Sequence, residues 1–500
     1  MSVPSDRAGP VPQDRRSSLA RGTLWAASVV FTAMAGCAVG PNFHRPPPPS
    51  TSHYTNGRDP TATVSAHGTA QRFDTAATVS ADWWKLFRSP QLDTIIREGI
   101  SHNPGLAAAQ ASLRASQNDL RSGYGIFFPS VNAEAAATRE RYSPALLGQS
   151  AESHVFDIFT LSTSVNYALD LFGGQRRLVE GLRAQTEVAL ADERATYLAL
   201  AANIVNTAIA QAAYRAEIEA TGQLIELQKE QVGIARVQAD SGTVPYSNVL
   251  SLQSQLASYE ATIPQLEQKL TQGDDLLAAL AGQMPGEWQA TPLRLDDLTL
   301  PDTLPVSLPS NLVRQRPDIL AAEATAHAAS AGIGVATAAM LPSITLSGGL
   351  QSASNSTANL FTANAKAWSV GANATAPLFE GGALWFKRKA AIEQYDQAMA
   401  LYRQTVLGAF EQIADTLRAL DHDAAVLLAQ DEALSTAGQA LHLISANYES
   451  GIATYLDVLN ADAQYRQAKI AQVQAIAVRY QDTVALFAAL GGGWWNSPSQ

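Results

Sequence analysis

The one thiol in the 500 residues is Cys37, and it is the first side chain whose surroundings point to chemistry. Arg15, Arg16 and Arg21 precede an apolar run from Leu24 to Ala35, and the small pair Ala35-Gly36 stands directly before the cysteine. That is the layout of a secretory signal peptide with its cleavage point at the thiol. The run has about 12 residues, short of the roughly 20 needed to cross a bilayer as a helix, so a permanent span is the weaker reading. With a single cysteine no intramolecular disulfide forms. Elsewhere the residues that usually do chemistry fall into no working set. The histidines are scattered, no HExxH or GxSxG stretch occurs, and Gly332-Ile333-Gly334 lacks the third glycine and the preceding strand of a dinucleotide site. No catalytic residue, metal ligand set or cofactor is expected, and the chain reads as a non-enzyme.

A cysteine at the cleavage point resembles the bacterial lipobox, in which the thiol takes a diacylglycerol and the new N-terminus is acylated. Lipidation at Cys37 is the expectation, with a signal peptide at 1–36. Ala38, in place of aspartate, favours export to the outer membrane by the same resemblance. Two or more acyl chains hold a protein to a membrane stably, since each buried methylene adds about 0.8 kcal/mol. Residues 37–81 are rich in Pro, Ser, Thr and Ala and include Pro46-Pro47-Pro48-Pro49, which reads as an acylated, extended tether. A net charge of -11 with no basic cluster excludes a nucleic-acid partner.

The rest of the chain repeats itself. Ser450-Gly451-Ile452-Ala453-Thr454-Tyr455-Leu456-Asp457-Val458-Leu459 restates Ser241-Gly242-Thr243-Val244-Pro245-Tyr246-Ser247-Asn248-Val249-Leu250, and Pro104 and Pro129 return as Pro317 and Pro342 at one constant offset. Leu171-Phe172 returns as Leu378-Phe379. Such coincidences in order mean an internal duplication: a first repeat at 82–295, a linker at 296–310, a second repeat at 311–495 and a tail at 496–500. Each repeat holds two stretches that alternate in polarity, at about 127–170 and 341–379. In the first, Val131, Ala133, Ala135 and Ala137 alternate with Ser130, Asn132, Glu134 and Thr138. Four strands in two hairpins follow, of a length suited to an outer-membrane barrel. Two runs without proline or a turn cluster, 175–240 and 382–449, predict helices of about 65 residues, near 100 Å long. After each glycine turn a heptad of apolar residues follows, as in Leu252, Leu256, Tyr259, Ile263, Leu266 and Leu270. Arg466 interrupts the second seam, and Pro264 is expected to kink the first helix.

The fold class is thus mainly α with a small β part: long helical hairpins plus four transmembrane strands per chain. Four strands cannot close, and their open edges require other copies. Two copies would give eight strands and a barrel filled by side chains; three give 12 strands and, if the strands face lipid, a water-filled bore.

Cys37-Ala38-Val39-Gly40-Pro41-Asn42-Phe43, Asp82-Trp83-Trp84, Asn103-Pro104, Phe128-Pro129-Ser130, Leu171-Phe172-Gly173-Gly174, Arg316-Pro317-Asp318, Leu378-Phe379-Glu380-Gly381-Gly382 and Tyr455-Leu456-Asp457-Val458-Leu459 together resemble the TolC-like outer-membrane factors, and among them the NodT-type efflux lipoproteins. The resemblance implies a homotrimeric channel in the outer membrane with a periplasmic α-barrel. It also implies a periplasmic adaptor, or membrane fusion protein, and an inner-membrane resistance-nodulation-division pump as partners. It places an acidic gate at the periplasmic end: Asp457 matches its first position, Asn460 replaces the second acid, and Tyr448 is carried over as a residue that hydrogen-bonds across the tip. Gly242, Thr243 and Val244 with Gly451, Ile452 and Ala453 become the adaptor's docking surface. The expected function is passive conduction of small molecules to the exterior. The alternative is a lipid-anchored periplasmic coiled-coil scaffold with no pore, which has no need of the four strands.

Overall fold

Backbone groups in a bilayer must be paired within the protein, and the four strands expected from the sequence pair with one another everywhere but at two outer edges. The computed structural model describes residues 38–75, 77, 79–143 and 152–496, so the signal peptide and Cys37 lie outside the described residues. The chain divides into two units. One takes the residues up to Phe43 with Asn118–Ala184 and His327–Asp396; the other takes His44–Gln117, Gln185–Ala326 and Gln397 onward.

The first unit contains a four-stranded antiparallel sheet of β2 (Ser130–Tyr142), β3 (His154–Leu169), β5 (Ser343–Ser354) and β6 (Lys366–Thr375), ordered β2-β3-β5-β6. The two expected hairpins are joined edge to edge through β3 and β5, with Val165 opposite Gly348. Residues opposite each other share a face. One face therefore carries the row Val131, Val165, Gly348 and Val370, and beside it Ala133, Thr163, Leu350 and Trp368. The other face carries Asn132, Ser164, Gly349 and Ser369. Trp368 is 76% and Val370 79% exposed. A soluble sheet would pack this apolar face against a core; here it is bare.

Residues 38–43 belong to this unit and are fastened there. Val39 N donates to Phe172 O at 2.9 Å, and the buried Arg177 donates to Val39 O and to Asn42 Oδ1. The Phe43 ring stacks on His327 at 4.5 Å.

The second unit is helical, with a small parallel pair of β1 (Arg72–Asp74) and β4 (Thr303–Pro305). Helix α1 (Pro90–His102) starts where Ser89 accepts from Leu92 N and Pro90 presets the first turn. Helix α2 (Pro104–Gly123) follows after Asn103, whose Oδ1 accepts from Leu106 N. The core gathers on Trp83, stacked on Phe487 at 5.2 Å, with Phe87, Leu92 and Ile96 fully enclosed.

Four helices continue the hairpins: α3 (Gly174–Asp240) and α4 (Tyr246–Leu280), then, after α5 (Pro317–Ala338), α6 (Ala383–Glu449) and α7 (Tyr455–Ala489). The two long members have 67 residues each and the two after the turns 35 each, the equality expected of a duplication. Helix α4 continues unbroken through Pro264.

The stretch read as an extended tether is corrected by the structure. Tyr54 Oη donates to Ser307 O at 2.7 Å, Arg45 pairs with Glu323 at 2.5 Å, and β1 adds to β4. A Pro-rich composition signals stiffness but is blind to anchors hundreds of residues away.

Candidate functional site

Both glycine turns close in the same way. Gly242 N donates to Ala239 O and Thr243 N to Gln238 O, each at 2.9 Å; Gly451 N donates to Tyr448 O at 2.9 Å and Ile452 N to Asn447 O at 2.8 Å. These are Schellman caps, and they need the left-handed backbone that both glycines adopt, with φ of 77° and 76°. Thr243 and Ile452 stand exposed at the tips, with Val244 and Ala453 half-buried behind them.

The helices leaving the turns start differently. Helix α7 opens on a capping box: Thr454 Oγ1 accepts from Asp457 N at 3.2 Å, while Thr454 N and Oγ1 donate to Asp457 Oδ2 at 2.9 and 2.7 Å. Those bonds hold the Asp457 carboxyl below the usual carboxylate range. In the first turn Pro245 replaces Thr454 and supplies no side-chain cap. Asn460 is exposed and makes no ion pair among the described residues.

Bonds between the hairpins come from other residues. Tyr455 Oη donates to Glu230 Oε1 at 2.7 Å, Arg466 donates to Gln223 Oε1, Gln467 Nε2 donates to Tyr259 Oη at 2.8 Å and Gln474 Nε2 to Glu217 Oε2 at 3.0 Å. They tie α7 to α3 and α4 along several turns. Tyr448 contributes its ring, tilted against that of Tyr455 at 5.3 Å. Sequence reading missed Tyr455, Glu230 and Gln223; the signal within reach was Arg466, a charge set into an apolar seam.

Farther along α7 lies a buried cation. Arg479 is 1% exposed and donates to four neutral oxygens: Gln71 Oε1 at 3.1 Å, Ala66 O at 3.2 Å, Thr63 Oγ1 at 3.3 Å and Thr69 O at 3.2 Å. Burial lowers its proton affinity, and the charges of Asp423 and Asp431 work in the opposite direction. The grip holds a hairpin whose turn is His67-Gly68, both at positive φ, with His67 N donating to Asp431 Oδ2 at 2.8 Å. Beside it, Asp423 Oδ2 is buried without a donor, and its carboxyl meets that of Asp482, a contact that is favourable only with a proton between them.

Burial, then Asp482, push Asp423 from 3.8 to about 7. The folded chain thus binds more protons than the unfolded one between those values, so stability falls as pH rises across them. The melting temperature is expected to drop from about pH 4 to about pH 7, and Asp423→Asn to flatten that slope. A slope unchanged in the variant would refute the assignment.

Residues 95–283 and 308–492 match the family model described as outer membrane efflux protein. The chain is 29% identical over 418 residues to the pyoverdine export outer membrane protein OpmQ of Pseudomonas aeruginosa, covering 82% of this chain and 87% of that one. Its fold superposes on the outer-membrane channel OprN with a TM-score of 0.80 at 28% identity, over 92% of this chain and 100% of the other. The outer membrane protein VceC of Vibrio cholerae gives a TM-score of 0.74 at 28% identity, over 83% and 100%.

Proposed function

We propose, from the premise that this chain belongs to the outer membrane efflux protein family, that three copies form the exit duct of a tripartite efflux system, conducting small molecules passively to the exterior. The observation that carries the reading is the four-stranded sheet, with one bare apolar face, one polar face and free edges on β2 and β6. Lipid accepts the apolar face but not a free edge. Edge pairing between three copies supplies 12 strands, enough for an aqueous bore.

Acylation at Cys37 fits the fastening of residues 38–43, since the chain directly after the cysteine is held against the unit that carries the sheet. The Schellman-capped turns at Gly242-Thr243-Val244 and Gly451-Ile452-Ala453 offer a paired, exposed end for the helical hairpin of a periplasmic adaptor, with a resistance-nodulation-division pump behind it. Closure of that end rests on the bonds of Tyr455 and Arg466, with the ionised Asp457 and Tyr448 beside them and Asn460 leaving the tip less charged. Nothing in this reading asks for catalysis or a cofactor. The scaffold alternative is not favoured, because it leaves the bare sheet face without a purpose.

Outer-membrane fractionation with chemical cross-linking, followed by planar-bilayer recording of the purified protein, tests the reading. A trimer in the outer membrane and discrete conducting steps are expected. A monomer in the periplasmic fraction, or a trimer that conducts nothing even with its tip bonds removed, would sink it.

A further inference from the structure

The register of the sheet assigns every charged side chain of its strands to one face or the other, and all the basic residues fall on one of them. Arg139 pairs across with Asp157, Arg141 with Val155, and Lys366 with Ser352, which places all three basic residues on the face of Val131 and Trp368. Arg139 and Asp157 form an ion pair there at 3.6 Å. Glu134 sits opposite Ser162, which sits opposite Gln351, in the polar row between those of Asn132 and Ala136. Glu140, opposite Phe156, is on the same face nearer the strand end. Among the described residues of the four strands no lysine or arginine shares that face, and neither glutamate has an ion-pair partner. Glu134 is exposed, with small or uncharged neighbours on every side.

We propose that Glu134, supported by Glu140, sets the charge preference of the membrane bore, favouring cationic over anionic solutes. This rests on the trimeric duct reading, in which the polar face lines the lumen and threefold symmetry turns each glutamate into a ring of three carboxylates. Acidic rings raise the local concentration of cations and exclude anions. The basic residues cannot cancel the ring, because the alternation of the strand sends them to the outside surface. The bore of a 12-strand barrel is wide, so the effect is governed by screening: a carboxylate's field reaches about 30 Å at 0.01 M salt and about 3 Å at 1 M.

The test is the reversal potential across a planar bilayer under a KCl gradient at low salt, for the parent and for a background with the tip bonds removed (Tyr455→Phe, Arg466→Ala). The parent is expected to prefer potassium. Glu134→Gln should lower the potassium-to-chloride permeability ratio about twofold or more, and Glu134→Lys should bring it below one, with the contrast vanishing near 1 M salt. A ratio unchanged in both variants overturns the proposal, as does a preference that moves with Asp457→Asn and not with Glu134. Pores that form with no dependence on Glu134 refute this inference alone; the absence of pores refutes the duct itself and this inference with it.

Discussion

Arg479→Ala is expected to detach the hairpin at residues 63–71 and to destabilise the fold by roughly 3–5 kcal/mol. The guanidinium is the shared donor for Gln71, Ala66, Thr63 and Thr69, and alanine leaves four acceptors without it. The Gln71 side chain is itself buried and keeps one bond, its Nε2 donating to Thr483 Oγ1 at 3.1 Å. The loss of the cation also leaves Asp423 and Asp431 without their positive neighbour. Arg479→Lys, which retains charge but not the planar fork, should recover part of the loss. Equilibrium unfolding in detergent measures the cost, and limited proteolysis with mass mapping detects cuts within 63–71. Parent-like stability together with a protease-resistant hairpin would show that the grip is incidental.

The largest functional change is expected at the tip, from Tyr455→Phe combined with Arg466→Ala. The two substitutions remove the bonds to Glu230 and Gln223, which are exposed and so worth about 1 kcal/mol each. In the proposed trimer, threefold symmetry multiplies them to about 6 kcal/mol per assembled duct. About 5.5 kcal/mol moves a two-state equilibrium from 1:99 to 99:1. Average conductance should therefore rise by about tenfold or more. Asp457→Ala should act less on conductance, because its carboxylate serves the capping box of α7 and so supports the start of that helix more than a bond between the hairpins. If Asp457→Ala opened the pore and the double variant did not, the assignment of closure to Tyr455 and Arg466 would fail.

Much of this architecture was legible because it is periodic. The repeat at Gly242 and Gly451 located both turns, and the turns demand the same left-handed glycine for the same reason. Strand alternation at Val131, Ala133, Ala135 and Ala137 was legible because a strand's two faces meet different solvents. The 67-residue helices are visible as runs free of proline and of turn clusters. The site was less legible. A resemblance drew attention to Asp457 and Tyr448, yet the bonds across the hairpins are made by Tyr455 and Arg466. The charge of Arg466 in an apolar seam is legible in the sequence, but its partner Gln223 is not. Residues 63–71 read as linker, since nothing in their composition announces an arginine about 410 positions away.

By itself the sequence determined the duplication, the helix and strand segments, the turns, and which side chains alternate to which face of a strand. Each of these depends on neighbours within a few residues, through backbone sterics and hydrophobic period. Only the tertiary structure decided that β3 pairs with β5, that Arg479 is buried in neutral oxygens, that Asp423 meets Asp482, and that Tyr455 reaches Glu230. Those contacts join residues far apart in the chain, where no local period constrains the partner and only packing brings donor to acceptor.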